Sequence, residues 1–252
     1  MTEPANTRLT PQRLLSTALI LFLAYQLPEA LQIYPLMLLV LPLAWACSRV
    51  LGFRGLRAWY IDARPGWALL LAAGLALACA CKLAALLAGE KFGVYSVRWT
   101  GITAATPFLL MFAWQAFQTF IPSISEDILT RGLVRRAFPG IGATWLYVPL
   151  AAAIFVLNHI YRLHKGPVEW LMLFVFGLAY AAALYRTGSL WAAVGVHWGW
   201  NFTNAVVDQL ADVSVSQAGT APFLSMIAHV LMLAGVLFLW RGRPSGEQEC
   251  PR

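Results

Sequence analysis

Apolar runs of about 17 to 25 residues recur along this chain, and no other feature limits the fold as much. A run of that length is what crosses a bilayer as a helix. Only helices and closed barrels span lipid, because every backbone N–H and C=O there must be bonded internally. The runs are continuous rather than alternating, so their period is not that of barrel strands. The expected class is all-α: a polytopic membrane helix bundle of about eight transmembrane helices, in a single integral membrane domain over 1–252. Composition agrees, with 60% hydrophobic and 12% charged residues and a mean hydropathy of +0.67.

In chain order the spans read about Leu14–Leu27, ended by Pro28, then about Leu31–Ser48, Trp67–Ala88, and a fourth beginning near Thr103. The fourth meets Pro122, and its helix is expected to continue past a kink there to about Ala137, where Pro139-Gly140 stops it. The remaining spans read about Ala143–Tyr161, Val168–Tyr185, Leu190–Asp208 and Phe223–Trp240. Polar termini, 1–12 and 241–252, flank the bundle, and its polar motifs fall within about 104–208. The segment after the N-terminus has no clear small-residue cleavage site and reads as a start-transfer helix.

Eight spans put Arg8, Arg13, Arg49, Arg54, Arg57, Arg64, Arg131, Arg135, Arg136, Arg186, Arg241, Arg243 and Arg252 on one side. Lys91, Arg98, Arg162 and Lys165 fall on the other. The bias makes the first side cytoplasmic and predicts a multi-pass protein of the cytoplasmic membrane with both termini inside. The net charge of +7 need not mean nucleic acid, since basic residues concentrate in short loops as in cytoplasmic loops of membrane proteins, with no basic stripe interleaved with exposed aromatics. Cys47, Cys79, Cys81 and Cys250 lack the spacing of a zinc ligand set and read as packing or tail residues.

Polar residues interrupt the apolar runs at three places. In Ile121–Arg136, Glu126 and Asp127 stand side by side with Arg131 four residues after the second. On a helix Asp127 and Arg131 share a face and can pair, while Glu126 is turned about 100° away and left free. Ser123-x-x-Glu126 also fits a helix-start capping box, which explains one acid and not two. Phe155-x-x-x-His159 closes the fifth span, in the sequence Phe-Val-Leu-Asn158-His159. His197-x-x-x-Asn201 lies within the seventh, one turn apart on one face, with Asn204 extending it. Gly195 and Gly199 would let another helix or a substrate chain come close. Taken singly, a membrane His or Asn is often a packing residue; His229 reads that way, and His164 reads as a solvated loop residue. Jointly, an acid pair, a His, then a His with an Asn on three spans are parts for acid–base and oxyanion chemistry.

The order E-[ED]-x-x-x-R, F-x-x-x-H, H-x-x-x-N resembles the CPBP intramembrane proteases, which include CAAX prenyl endopeptidases and bacteriocin-processing or immunity-linked proteins of the Abi group. The resemblance runs over about Phe108–Val207 and includes the approach Tyr185-Arg-Thr-Gly-Ser-Leu-Trp191. One departure is Asp127, where the family's usual second acid is Glu. The resemblance implies an intramembrane endopeptidase acting on a membrane-associated peptide or lipidated protein. It implies that Glu126 activates water with His159, that His197 and Asn201 stabilise the oxyanion, and that Asp127 and Arg131 hold the Glu126 turn in place. No cofactor is expected on this mechanism. An older, zinc-dependent reading of the family would make Glu126, His159 and His197 the ligands, although no compact pair such as HExxH is present.

Two other classes fit the polar residues. A proton-coupled membrane transporter also uses intramembrane acids and histidines, though repeated halves with paired broken helices are missing. A non-catalytic immunity-type membrane protein would keep the motifs as packing. Counting along the spans also sets Glu126 toward the cytoplasmic half and His159 toward the far side, a mismatch on the order of 10 Å. A kink at Pro149, or a fifth span starting deeper, would remove it.

Overall fold

The computed structural model describes residues 9–101 and 105–241. Arg8, Thr103, Arg243, Cys250 and Arg252 lie outside the described residues, and with them most of both polar termini. Helices carry the structure: α1 Pro11–Ala30, α2 Val40–Val50, α3 Trp67–Lys91, α4 Ala105–Asp127, α5 Leu133–Ala137, α6 Pro139–Gly142, α7 Tyr147–Asn158, α8 Pro167–Thr187, α9 Leu190–Leu210 and α10 Ala221–Leu239. One feature departs from all-α. Tyr95–Trp99 (β1) and Ala211–Val215 (β2) form an antiparallel ribbon, with Tyr95 opposite Val215 and Trp99 opposite Ala211. It links the turn after α3 to the end of α9, where β-branched and aromatic residues replace the helical pattern.

Among the described residues three helices, α3, α8 and α10, are both long and apolar enough to cross a membrane. α1, α4 and α9 have the length, at 20, 23 and 21 residues, but their polar side chains lower their apolarity. α2 and α7, at 11 and 12 residues, rise only about 17–18 Å, short of the ~30 Å hydrocarbon core. The all-α expectation holds for most of the chain, but eight helices of spanning length are not what the described residues show. α1 also runs through Pro28 to Ala30, because a proline one turn from a helix end sacrifices a single hydrogen bond.

α9 is the central element. It packs on α3, α4 and α8, while α8 also carries α7 and α10. The α3–α9 contact is made by glycine. A Cβ on Gly195 would lie 2.3 Å from the Leu71 carbonyl oxygen, one on Gly199 2.8 Å from that of Leu75, and one on Gly74 2.8 Å from that of Ala192. The room left by Gly195 and Gly199 is thus filled by a helix, as small residues allow in lipid. Outward, Leu19, Leu109, Leu110, Trp114, Leu171 and Phe238 are exposed, an apolar surface suited to lipid tails.

At one end of the bundle, arginines fasten loops to helix ends. Arg136 Nε donates to the Ala58 carbonyl (3.1 Å), Arg64 Nη2 to that of Gly188 (2.6 Å), and Arg186 Nη2 to that of Trp240 (3.0 Å). Ribbon β1–β2 and the turn Ile160–Lys165 lie away from these contacts, following the opposite ends of α3, α9 and α7.

Candidate active site

The two acids end α4, and the helix does not stop there. Residues Ile128–Gly132 form a π turn, with Leu133 N–H bonded to the Ile128 carbonyl, and α5 continues to Ala137. The helix past Pro122 expected from the sequence is present. The capping box is not: Ser123 is interior to α4, and its hydroxyl donates to the Thr119 carbonyl at 2.8 Å. A π turn directly after the acids widens the helix at the point where functional residues often sit.

Asp127 and Arg131 are both fully buried and paired through Arg131 Nη1 and Asp127 Oδ1. The guanidinium lies 4.6 Å from the Phe155 ring and 5.0 Å from the Tyr180 ring, so aromatic faces take the place of water around the charge. Asp127 Oδ1 also receives His197 Nδ1 at 3.0 Å. A carboxylate only accepts, so Nδ1 carries the proton and Nε2 faces the other way. There it lies 3.7 Å from Glu126 Oε2. Tyr180 stacks on the His197 ring at 4.7 Å.

Glu126, turned away from Asp127 as the spacing predicts, meets α7. Asn158 Nδ2 donates to Glu126 Oε1 at 3.0 Å, and His159 Nδ1 is 3.5 Å from the same oxygen. His159 Nδ1 also lies 2.8 Å from the Phe155 carbonyl, which fixes a proton on that nitrogen. The depth mismatch is absent because the fifth span starts at Tyr147 rather than Ala143. Glu126 lies eleven residues before Ala137 and Asn158 eleven residues after Tyr147, so two antiparallel helices bring them level without a kink at Pro149. Asn201 joins from α9, with Nδ2 donating to Ser123 Oγ at 3.1 Å.

These side chains border a cavity of about 470 Å³ lined by Glu126, His159, His197 and Asn201, with Tyr25 and Glu29 of α1 on one side and Lys82 and Trp200 on another. The Lys82 ammonium sits 4.8 Å from the centre of the Trp200 ring. Sequence reading missed Asn158, Tyr180, Tyr25 and Gln26. Asn158 stood in view beside His159. Gln26 was a lone amide in the first apolar run, the kind of residue a lipid-facing helix avoids.

The other two histidines follow their plain readings. His229 is buried, its Nδ1 2.8 Å from the Ser225 carbonyl and its Nε2 2.8 Å from the Tyr180 hydroxyl. His164 is exposed on the Ile160–Lys165 turn.

His159 and His197 each have Nδ1 engaged, by a carbonyl and a carboxylate, which sets Nε2 as the nitrogen turned to any ligand. Among the described residues no three His, Cys, Asp or Glu side chains are placed to share an ion.

Residues 105–203 match the family model for type II CAAX prenyl endopeptidase, Rce1-like. No curated protein and no solved structure matches the chain. The matched segment runs from the first turn of α4 to Thr203 on α9, and it contains all three polar motifs around the cavity. Over residues 105–203 the chain is thus similar to the type II CAAX prenyl endopeptidases, and its apolar helices are those of an integral membrane protein.

Proposed function

We propose that this protein is an intramembrane endopeptidase in which Glu126 is the base that activates water. The observation that carries the reading is the position of the Glu126 carboxylate. It is held at a cavity wall within 3.0 Å of Asn158, 3.5 Å of His159 and 3.7 Å of His197, while the neighbouring acid is turned away to Arg131 and His197 Nδ1. Water beside Glu126 and His159 gives a proton to Glu126 as its oxygen attacks the scissile carbonyl carbon. The carbonyl oxygen becomes an oxyanion. Asn201 has an amide proton beyond the one given to Ser123, and it donates there. His197 donates from Nε2 once that nitrogen has taken a proton, since its first proton is committed to Asp127. As the C–N bond breaks, Glu126 returns its proton to the leaving amine, giving a carboxylic acid and an amine.

Asp127 and Arg131 act as orienting residues. Asp127 holds the ring of His197, and the pair fixes the π turn that follows Glu126. By its family the substrate is a peptide or lipidated protein presented at the membrane, and the loop arginines support both termini on the cytoplasmic side. The purified protein with a quenched peptide library tests the reading. Cleavage is expected, and Glu126→Gln should abolish it. Solute uptake into liposomes without cleavage would replace the enzyme by a carrier.

A further inference from the structure

We infer that Gln26 of α1, acting through Asn158 of α7, is a positioning residue for the Glu126 carboxylate. This rests on the reading of Glu126 as the base and adds an element outside the matched family segment.

Three buried hydrogen bonds carry it. Gln26 Nε2 donates to the Asn158 backbone carbonyl at 2.7 Å and to Asn158 Oδ1 at 2.9 Å. Asn158 Nδ2 then donates to Glu126 Oε1 at 3.0 Å. Gln26 and Asn158 are each only 5% exposed, so bulk water does not compete for the bonds between them.

The order of donors matters. An amide side chain can turn over, presenting its oxygen or its nitrogen. The Asn158 backbone carbonyl can only accept, which fixes Gln26 with its nitrogen inward, so Asn158 must turn its side-chain oxygen toward α1. Its nitrogen is thereby turned toward Glu126. Without Gln26, the flipped amide would point an oxygen at a carboxylate, two acceptors facing each other. The relay therefore selects the Asn158 orientation that holds Glu126 Oε1, leaving Oε2 toward His197. Because Gln26 also binds the backbone carbonyl at the C-terminus of α7, it anchors the turn that carries His159. A helix outside the three motifs thus sets the geometry of two motif residues.

The test uses the full-length protein in detergent with the peptide cleaved by wild type. Asn158→Leu and Gln26→Met remove the donors while keeping apolar volume. Each is expected to lower kcat by about ten- to a hundredfold with KM unchanged, as misplacement of a reacting group does. The double variant should lose no more than the larger single loss, because both act on one chain of bonds. Gln26→Glu, which replaces the donor by an acceptor, should be at least as impaired as Gln26→Met.

A second measurement is independent of turnover. The infrared carboxylate band removed by Glu126→Gln should shift in Asn158→Leu and shift alike in Gln26→Met, in protein with the wild-type melting profile. Wild-type kcat in both single variants, or an unmoved band, overturns the relay. If Glu126→Gln itself keeps cleavage, the base assignment fails instead, and the band still decides whether the relay holds the carboxylate.

Discussion

Asp127 and Arg131 are the most demanding residues here, because both charges are fully buried and each is the other's counterion. Asp127→Asn or Arg131→Leu leaves one charge alone inside the bundle. Each should destabilise the protein by about 3–5 kcal/mol, read as a lowered melting temperature in detergent, and should lower cleavage by misplacing His197 and the Glu126 turn. His197→Ala is expected to behave otherwise, with kcat down about a hundredfold and KM nearly intact. Removing metal with a chelator should leave turnover unchanged, and protein purified without added zinc should carry far less than one equivalent. Stoichiometric zinc lost together with activity in His197→Ala would reverse that mechanism. The motif residues could be found from sequence because a polar side chain in an apolar run is conspicuous, and their i,i+4 spacings state which share a face. What spacing could not state is the partner across helices. Nothing local shows that His197 gives its Nδ1 proton to Asp127, or that Asn158 rather than His159 makes the closer bond to Glu126.

Among the elements, α9 depends on its glycines as much as on its polar face. Gly195→Val would drive a side chain into the Leu71 carbonyl, which as helix backbone cannot turn aside. Overpacking of this kind costs about 1–3 kcal/mol or more, and a thermal melt of the variant should show it, with the cavity side chains unchanged in sequence. Wild-type stability would mean that α3 and α9 separate more readily than their packing implies. The long apolar helices α3, α8 and α10 were legible to within about three residues, since nothing competes with their hydrophobicity. The fifth span reads longer in the sequence than α7 is, because apolar residues continue on both sides of it, through the turn 143–146 before and a 3₁₀ turn after. The π turn left no mark in the sequence; it is a backbone adjustment that tertiary contacts at Trp59 and Arg131 accommodate.

Across the whole molecule, the arginine contacts to Ala58, Gly188 and Trp240 define one end, and the β1–β2 ribbon lies at the other. Single cysteines placed at Arg54 and Arg241 should react with a membrane-impermeant thiol reagent from the cytoplasmic side, and one at Lys165 from the opposite side. Labelling of all three from one side would overturn the orientation. The exposed Arg98–Asp212 pair on the ribbon should matter little, and Arg98→Ala should change stability by no more than about 1 kcal/mol. The ribbon itself was invisible in the sequence, because its partners are more than a hundred residues apart and only the folded bundle brings them alongside. The glycine seam has a consequence for traffic through the protein. Where α3 and α9 touch backbone to backbone, neither can slide or part without breaking contacts along several turns. On the α1 side the cavity is bounded by side chains, those of Tyr25 and Glu29, rather than by packed backbone. The protein is built like a vice with one fixed jaw, and on the proposed reading the expected route of a substrate chain to Glu126 runs past α1 rather than through the α3–α9 seam.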